Sequence, residues 1–313
     1  MTVLGAAGAA TWRDLYRGAA GRLGSDREAR WILEEVSGRP WAALWGEDAP
    51  ADSESARRRL VSMVERRCTG EPLQYVLGRW PFRDLDLLVD RRVLIPRPET
   101  EQVTGVALDE LDRIVRRRLD GGGRRAAEVV VVDLGTGSGA IGLAIAAERS
   151  GARVWATDVS SPALHVARAN LEGAGRCAAR VRLAEGSWYG ALPEPLAGRV
   201  DLIVSNPPYV STAEMDDLEP EVAAWEPRVA LEAGATGLEA VEAVLSGAPA
   251  WLSPGGAVVL EVAPHQSGAA AERARAAGFG QVEIRPDLAG RDRAVVARDA
   301  GGARNASGPR DAP

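Results

Sequence analysis

Lysine is absent from this chain, and its 38 basic residues are therefore all arginine. Alanine and glycine are abundant beside them, which indicates a coding bias more than a selected chemistry. Because 44 acidic residues outnumber the arginines, the formal net charge is −6. A net acidic chain is poorly suited to binding along a nucleic-acid backbone, so we expect no direct nucleic-acid partner.

Cysteine and histidine are scarce as well. The two cysteines, Cys68 and Cys177, lie far apart and outside any C-x-x-C pair, which argues against a disulfide scaffold and against a cysteine zinc site. The two histidines, His165 and His265, are too few for a histidine-rich metal site. We therefore expect no bound metal.

Long apolar runs and a leader segment are also lacking. No uninterrupted apolar stretch reaches the ~18 residues that a membrane span needs, and residues 1–13 show no basic segment followed by an apolar block. These absences favour a cytoplasmic protein without a membrane partner. With 313 residues, 46% of them hydrophobic and 26% charged, the chain is typical of a globular protein of about two domains.

The chain divides by pattern into four segments. Residues 1–78 carry equal numbers of arginine and acidic residues and predict a neutral bundle of short helices, one starting at the capping-box pair Ser25 and Glu28. Residues 79–97 mix apolar residues with glycine and proline, which is typical of a β-hairpin linker. Residues 98–300 form the main domain, and the polar segment 301–313 is predicted to be a disordered tail.

Strand and helix patterns alternate in the main domain from residue 128 onwards. The β-branched run Val129–Val132 is typical of a strand buried on both faces. Helix patterns at 139–149, 161–172, 237–251 and 268–277 lie between further strand patterns, which favours a doubly wound, mostly parallel α/β sheet. The short gap between the last two strand patterns predicts an antiparallel end of that sheet.

A glycine-rich turn follows the first strand pattern of the main domain, with the sequence Asp133-Leu134-Gly135-Thr136-Gly137-Ser138-Gly139. Glycines let the chain turn tightly and bring backbone N–H groups close to a ligand. Asp158 ends the next strand pattern, where an acid accepts hydrogen bonds from ribose hydroxyls. Both features fit a dinucleotide dehydrogenase as well as a methyltransferase.

One further residue favours S-adenosylmethionine as the ligand, and a second is compatible with it. Asp133 suits the ammonium group at the amino acid end of that donor better than it suits two phosphates. Trp188 follows the third strand pattern and offers an aromatic ring near the adenine side, and a core tryptophan that caps the sheet fits this position equally well.

The tetrapeptide Asn206-Pro207-Pro208-Tyr209 directly follows the fourth strand pattern. Two prolines stiffen the backbone and remove two N–H donors. The acceptors that remain are the side-chain amide oxygen of Asn206 and the carbonyl of Pro207, which can hold both hydrogens of a planar –NH2 group. Tyr209 can lie against the flat group that carries this nitrogen. Because ligands of open α/β sheets bind at the carboxyl ends of strands, the tetrapeptide predicts a substrate site.

Taken together, Asp133–Gly139, Asp158 and Asn206–Tyr209 resemble the class I S-adenosylmethionine-dependent methyltransferases that act on planar nitrogen. Members of that class modify adenine N6, guanine N2 or the glutamine side-chain amide. Further segments are similar to the peptide chain release factor N5-glutamine methyltransferases, and the resemblance spans roughly residues 10–298. These segments are Glu71–Tyr75, Leu94–Glu101, Trp225–Pro227 and Asp287–Arg293.

This resemblance implies a seven-stranded sheet with an antiparallel seventh strand, and an N-terminal helical domain. We expect that domain to recognise the substrate, because it is neutral and separate in sequence from every pocket motif. It implies S-adenosylmethionine as the methyl donor and a bacterial class 1 release factor, modified at the glutamine of its Gly-Gly-Gln loop, as the partner. We expect the enzyme to be a monomer. By position, the resemblance assigns catalysis to Asn206, Pro207 and Tyr209, glutamine binding to Asn206, Pro207, Pro208 and Tyr209, and donor binding to Asp133, Gly135, Thr136, Gly137, Ser138, Gly139, Asp158, Trp188 and Asn206.

Three alternatives share some of these motifs. A glutamine methyltransferase of a ribosomal protein shares the whole pocket. An amino-methyltransferase of adenine or guanine in nucleic acid shares it too, and the acidic charge disfavours it. A non-enzymatic module that senses a nucleotide accounts for the glycine turn but has no use for the primary-amide clamp of Asn206–Tyr209.

Overall fold

The computed structural model of the protein describes residues 11–45, 54–120 and 128–300. The predicted tail, 301–313, lies outside the described residues. By its internal contacts the chain falls into two units that are not contiguous in sequence. The first takes its described residues from Met1–Trp80, Val89–Arg91 and Glu219–Trp225, and the second from Pro81–Leu88, Arg92–Leu218 and Glu226–Pro313.

The first unit is helical because apolar residues recur at helical spacing between strong caps. Thr11 starts α1 with a reciprocal capping box to Asp14, and Ser25 starts α2 by accepting from the Glu28 N–H. Gly24 and Gly38 end these helices in left-handed conformation. The apolar faces meet in one core. The helices are α1 (Trp12–Leu23), α2 (Asp26–Ser37), α3 (Trp41–Trp45), α4 (Glu54–Cys68) and α5 (Leu73–Leu77).

The predicted linker, 79–97, begins with a two-stranded sheet of β1 (Arg79–Phe82) and β2 (Leu85–Leu88). The turn between the strands places Arg83 at a φ of 52°, in the left-handed region. The remaining linker residues have no regular secondary structure until α6 begins at Pro98. Proline suits this first helical position because its missing N–H would have no partner there.

The second unit is a seven-stranded sheet with helices on both faces. The helices are α6 (Pro98–Asp120), α7 (Ala140–Glu148), α8 (Ser161–Gly173), α10 (Glu239–Trp251) and α11 (Ser267–Ala276), and α9 (Pro220–Trp225) belongs to the first unit. The strands are β3 (Val129–Leu134), β4 (Ala152–Asp158), β5 (Val181–Glu185), β6 (Val200–Ser205), β9 (Leu252–Glu261), β10 (Phe279–Pro286) and β11 (Asp292–Ala300), and β7 (Val210–Ser211) and β8 (Glu232–Gly234) pair separately.

The strand order is β10-β11-β9-β6-β3-β4-β5, and all pairs are parallel except those of β11 with β9 and β10. The predicted fold class and its antiparallel end are thereby confirmed. Strands β4 and β5 lie on one side of β3, and the next strand of the sheet, β6, lies on its other side. The strand order therefore reverses at β3. Such a switch point opens a crevice at the carboxyl ends of β3 and β6.

The short helix α9 belongs to the first unit through charged and aromatic contacts. Arg67 in α4 donates from Nε to Glu28 Oε2 at 2.8 Å and from Nη1 to Glu221 Oε1 at 3.2 Å. The Arg91 guanidinium lies 5.5 Å from the ring centroid of Trp225. Residues Glu219–Trp225 are thus grouped by their contacts with the N-terminal helices. None of the helices in the described ranges combines the length and apolarity of a membrane-spanning segment.

Candidate active site

A cavity of about 390 Å³ lies at the carboxyl ends of β3, β4 and β6. This volume falls in the ~300–1,000 Å³ range of small-molecule sites. Its lining residues come from segments 92–100, 135–141, 158–163, 186–188, 206–208 and 227–240. All of these residues belong to the second unit. The glycine turn and Asn206, which are 71 positions apart when counted from Gly135, thus line the same space.

The glycine turn is held open by its own backbone hydrogen bonds. Gly135, Gly137 and Gly139 have φ values of 72°, 56° and 87°, which only glycine adopts at little cost. The N–H groups of Gly135 and Thr136 both donate to the Thr157 carbonyl at 2.9 Å. These bonds attach the turn to the end of β4, and Gly135–Ser138 line the cavity.

Asp158 ties the turn to the neighbouring strand. Its Oδ2 accepts from the Gly137 N–H and its Oδ1 from the Ser160 N–H, both at 2.8 Å. Burial raises the pKa of Asp158, and these two N–H donors oppose the shift. A carboxylate has about four lone-pair sites, so two bonds leave acceptor capacity on a residue that lines the cavity.

Asp133 does not reach the cavity surface in the described structure. It is fully buried, and its Oδ2 accepts from the Thr136 hydroxyl at 2.6 Å and from the Gly142 N–H at 2.9 Å. Burial raises the pKa of Asp133 to about 6. These contacts join the end of β3 to the first turn of α7, so Asp133 shapes the loop on which a donor would rest.

Trp188 lines the cavity beyond the end of β5. Its φ of 45° lies in the left-handed region, which is unusual for a tryptophan. Such a conformation persists only where surrounding structure imposes it. Here it lies in a 3-10 turn, Trp188–Ala191, whose Tyr189 hydroxyl donates to the Val244 carbonyl at 2.6 Å.

The tetrapeptide after β6 is divided between the cavity and the protein interior. Asn206 and Pro208 line the cavity, whereas Pro207 is buried. The Tyr209 carbonyl accepts from Gln266 Nε2 at 2.8 Å, which fixes the end of the turn. Asn206 Nδ2 donates to Thr100 Oγ1 at 3.3 Å, so the amide nitrogen is engaged and the amide oxygen is available.

Several lining residues carried no individual prediction. Thr100 is the most important of them because it accepts a hydrogen bond from Asn206, and Leu94 and Pro96 precede it in sequence. Val229 and Glu239 also line the cavity. Thr100, Leu94 and Pro96 lie in the segment Leu94–Glu101. The sequence analysis identified this segment as a whole by its similarity to a known family and did not single out any of the three residues.

Comparison with known proteins agrees with this architecture. Residues 117–222 match the methyltransferase small domain family, and residues 18–78 match the PrmC N-terminal domain family. The chain is 40% identical to the release factor glutamine methyltransferase of Deinococcus radiodurans, over 93% of this chain and 99% of that one. It is 41% identical to the release factor glutamine methyltransferase of Cereibacter sphaeroides, over 78% of this chain and 80% of that one.

A solved structure shares the fold. The hMettl16 catalytic domain, in complex with a MAT2A 3′UTR hairpin, aligns with a TM-score of 0.52 and 14% identity, over 82% of this chain and 85% of that one. The strand order, the glycine turn after β3 and the small-domain match define a class I methyltransferase. With 40% identity over nearly its whole length, the chain belongs to the release factor glutamine methyltransferase family.

Proposed function

We propose that this protein transfers a methyl group from S-adenosylmethionine to the side-chain amide nitrogen of the glutamine in the Gly-Gly-Gln loop of bacterial class 1 release factors. One observation carries the site chemistry. The Asn206 amide nitrogen donates a hydrogen bond to Thr100, which leaves the Asn206 oxygen as an acceptor in the cavity that the glycine turn also lines. The proposed substrate acts on ribosomes, so we place the enzyme in the cytoplasm. We also propose that it acts as a monomer.

Several features of the cavity support S-adenosylmethionine as the donor. Asp158 retains acceptor capacity for ribose hydroxyls, as an acid at the end of the second strand of such sheets does. Gly135, Thr136, Gly137 and Ser138 lie along the wall, where an amino acid end can meet polar backbone groups. Gly139 closes the turn, and Trp188 offers its ring to the adenine. Asp133 contributes through its hydrogen bonds to the loop.

The tetrapeptide would hold the glutamine amide. Asn206 Oδ1 and the Pro207 carbonyl each accept one N–H, which draws electron density onto an amide nitrogen that is otherwise a weak nucleophile. Bound S-adenosylmethionine supplies an electrophilic methyl group. Fixed orientation of the two groups accounts for ~7–11 kcal/mol of a barrier in favourable cases. Burial raises the pKa of Tyr209 to about 12, so its neutral ring is suited to pack on the flat amide.

We assign recognition of the protein substrate to the N-terminal helices, residues 1–78. Two observations support this assignment. Arginine and acidic residues balance in this segment, which suits a protein partner better than a polyanion. The described residues that line the cavity all belong to the second unit, so the helical unit is available for another task.

Methyl transfer with isotopically labelled S-adenosylmethionine tests the proposed function. The full chain is incubated with a class 1 release factor, with the same factor carrying alanine in place of the Gly-Gly-Gln glutamine, with ribosomal proteins, and with DNA and RNA. We expect label only on the unaltered release factor, on one glutamine side chain by mass spectrometry. Label on the alanine form at an equal rate, or preferential label on a ribosomal protein or nucleic acid, would overturn the assignment.

A further inference from the structure

A buried glutamine side chain connects the tetrapeptide to the start of α10. Gln266 lies in a short 3-10 turn after β9, and only 5% of it is exposed. Its Nε2 donates to the Tyr209 carbonyl at 2.8 Å and to the Gly237 carbonyl at 3.4 Å. Tyr209 directly follows the cavity-lining residue Pro208, and Gly237 lies two positions before the lining residue Glu239. Gln266 therefore joins two parts of the cavity wall from behind.

The end of the Gln266 amide that faces the two carbonyls follows from a count of donors. A glutamine nitrogen carries two hydrogens, so it can satisfy two carbonyl oxygens at once. Turning the amide over would place Oε1 against the Tyr209 and Gly237 oxygens, and all three atoms are acceptors. In the present orientation Oε1 is buried and accepts no hydrogen bond from the described residues. Such an unmade contact is costly, and it accompanies an orientation that directs the NH2 end at both carbonyls.

The groups around this contact are closely packed. Gly237 has a φ of 76°, in the left-handed region, and a Cβ there would lie 2.6 Å from Gln266 Nε2 and 2.7 Å from the Tyr209 oxygen. Non-bonded carbon contacts are ordinarily about 3.5–4.0 Å, so no further atom fits between the three residues. The Tyr209 carbonyl and the start of α10 are therefore held at a fixed separation.

The tetrapeptide needs support of this kind because its own backbone has few donors. Pro207 and Pro208 have no N–H, so a neighbouring segment can hold them only through their carbonyls or by packing. We propose that Gln266 is a positioning residue for methyl transfer. It fixes the Tyr209 end of the tetrapeptide against α10, and this sets where the Pro207 carbonyl and the Tyr209 ring meet the substrate amide. The inference deepens the proposed function and rests on it.

Nuclear magnetic resonance of the ligand-free full chain tests the contact without any activity measurement. The chain contains four glutamines, Gln74, Gln102, Gln266 and Gln281, so ¹⁵N-glutamine labelling yields four side-chain amide pairs. The Gln266 pair is assigned through its connection to the Gln266 backbone. We expect both of its hydrogens to exchange with water at least about 10-fold more slowly than those of the other three, which are not buried. Exchange of either hydrogen at the rate of the exposed Gln281 would overturn the proposal.

Kinetics supply the second readout. Gln266→Met keeps the length of the side chain and removes both donors, and we expect kcat for release factor to fall about 10- to 100-fold, because small misplacements of reacting groups have effects of this size. Affinity for S-adenosylhomocysteine should be unchanged, since Asp158 and the glycine turn are held by separate hydrogen bonds. Gln281→Met, at an exposed position on β10, is the control and should keep the wild-type kcat.

Gly237→Ala disturbs the same contact from the other side, because its Cβ would displace the Gln266 amide and the Tyr209 carbonyl. Gly175→Ala is the matched control. Gly175 has a φ of 65°, in the same left-handed region, and a Cβ there would meet no atom of the described chain within 4 Å. Both substitutions impose similar backbone strain, so the difference between them measures the contact. We expect only Gly237→Ala to lower kcat at unchanged donor affinity.

The outcomes separate the positioning role from the proposed function. If wild type methylates release factor while Gln266→Met and Gln281→Met have equal kcat values, the positioning role is wrong and the proposed function stands. If kcat and the capacity to bind S-adenosylhomocysteine fall together in Gln266→Met, the side chain only supports folding, and the positioning role is again wrong. If wild type fails to methylate release factor, the proposed function fails, and the exchange rates of the Gln266 hydrogens still test the contact.

Discussion

The nitrogen and the oxygen of the Asn206 side-chain amide have different proposed roles. Its nitrogen donates a hydrogen bond to Thr100, and its oxygen is proposed to bind the substrate. On that proposal, truncation to alanine removes one of the two acceptors that the tetrapeptide offers to an incoming –NH2 group.

We predict that Asn206→Ala lowers kcat by ~10²–10³, as the loss of one preorganised polar contact at a reacting centre does. Donor affinity should be nearly unchanged, because Asp158 and the glycine turn remain. Single-turnover transfer to release factor at saturating donor, with affinity for S-adenosylhomocysteine measured by calorimetry, separates the two effects. A kcat within about threefold of wild type would mean that Asn206 is structural only.

The Asp158 carboxylate accepts hydrogen bonds from Gly137 and Ser160 and is also proposed to bind the donor. We predict that Asp158→Ala weakens S-adenosylhomocysteine binding about 10- to 100-fold, which corresponds to ~1.5–3 kcal/mol for hydrogen bonds to a charged acceptor. Asp109→Ala, at an exposed position on α6, is the control. Calorimetry measures the affinity of both variants for S-adenosylhomocysteine. Equal affinities would mean that Asp158 does not bind the donor.

At the scale of elements, the junction between β3 and α7 depends on close packing. A Cβ at Gly142 would lie 3.0 Å from Asp133 Oδ2 and 3.2 Å from Val154 Cγ1. Both neighbours belong to core strands and have little room to move. Glycine is therefore required here by the distance between helix and sheet, and its φ is not the reason.

We predict that Gly142→Ala destabilises the protein by ~1–3 kcal/mol, which is the usual cost of overpacking a core. It should also weaken donor binding, since Asp133 holds both Gly142 and the turn. Gly105→Ala on α6 is the matched control, because a Cβ at Gly105 would lie 3.8 Å from its nearest neighbour, Arg83 Nη1. That variant should gain up to ~1 kcal/mol of helix propensity. Denaturant unfolding compares them, and equal stabilities would contradict the packing argument.

The elements near the site were predictable to different degrees. The run Val129–Val132 and the short gap between β10 and β11 are local patterns, and both indicated the sheet correctly. The glycine-turn residues and Asn206–Tyr209 could be identified because each of them is also a local sequence pattern. Thr100 was not identified individually, because its hydrogen bond with Asn206 depends on the approach of α6 to the end of β6. No local pattern records such a tertiary contact.

At the scale of the whole molecule, sequence order and spatial grouping differ. Helix α9 lies in the middle of the sequence of the catalytic unit and has its contacts in the helical unit. Composition does not reveal this, because Arg67 and Glu221 are separated by 154 positions. The functional assignment of residues 1–78 stays a prediction that a surface variant can test.

Trp31 on α2 is the natural residue for that test. It is 36% exposed, it meets Trp80 edge-on with ring centroids 5.8 Å apart, and Arg27 lies over its ring. Exposed tryptophans with this support are frequent anchors of protein interfaces.

We predict that Trp31→Ala raises KM for release factor about 10- to 30-fold, as the loss of an interface anchor does, with donor affinity unchanged. Leu119→Ala is the control, since Leu119 is an apolar side chain of α6 that is 57% exposed. Steady-state methyl transfer with varied release factor gives both values. If Leu119→Ala raises KM while Trp31→Ala does not, the second unit recognises the substrate instead.

The cavity wall formed by Asp158 and the glycine turn has a consequence for regulation. On the proposed function, these groups bind the ribose and the amino acid end of the donor. S-adenosylhomocysteine keeps both parts after the methyl group has left, so the spent product competes for the same wall. The ratio of S-adenosylmethionine to S-adenosylhomocysteine then controls release-factor modification, and accumulation of the product slows it even when donor remains.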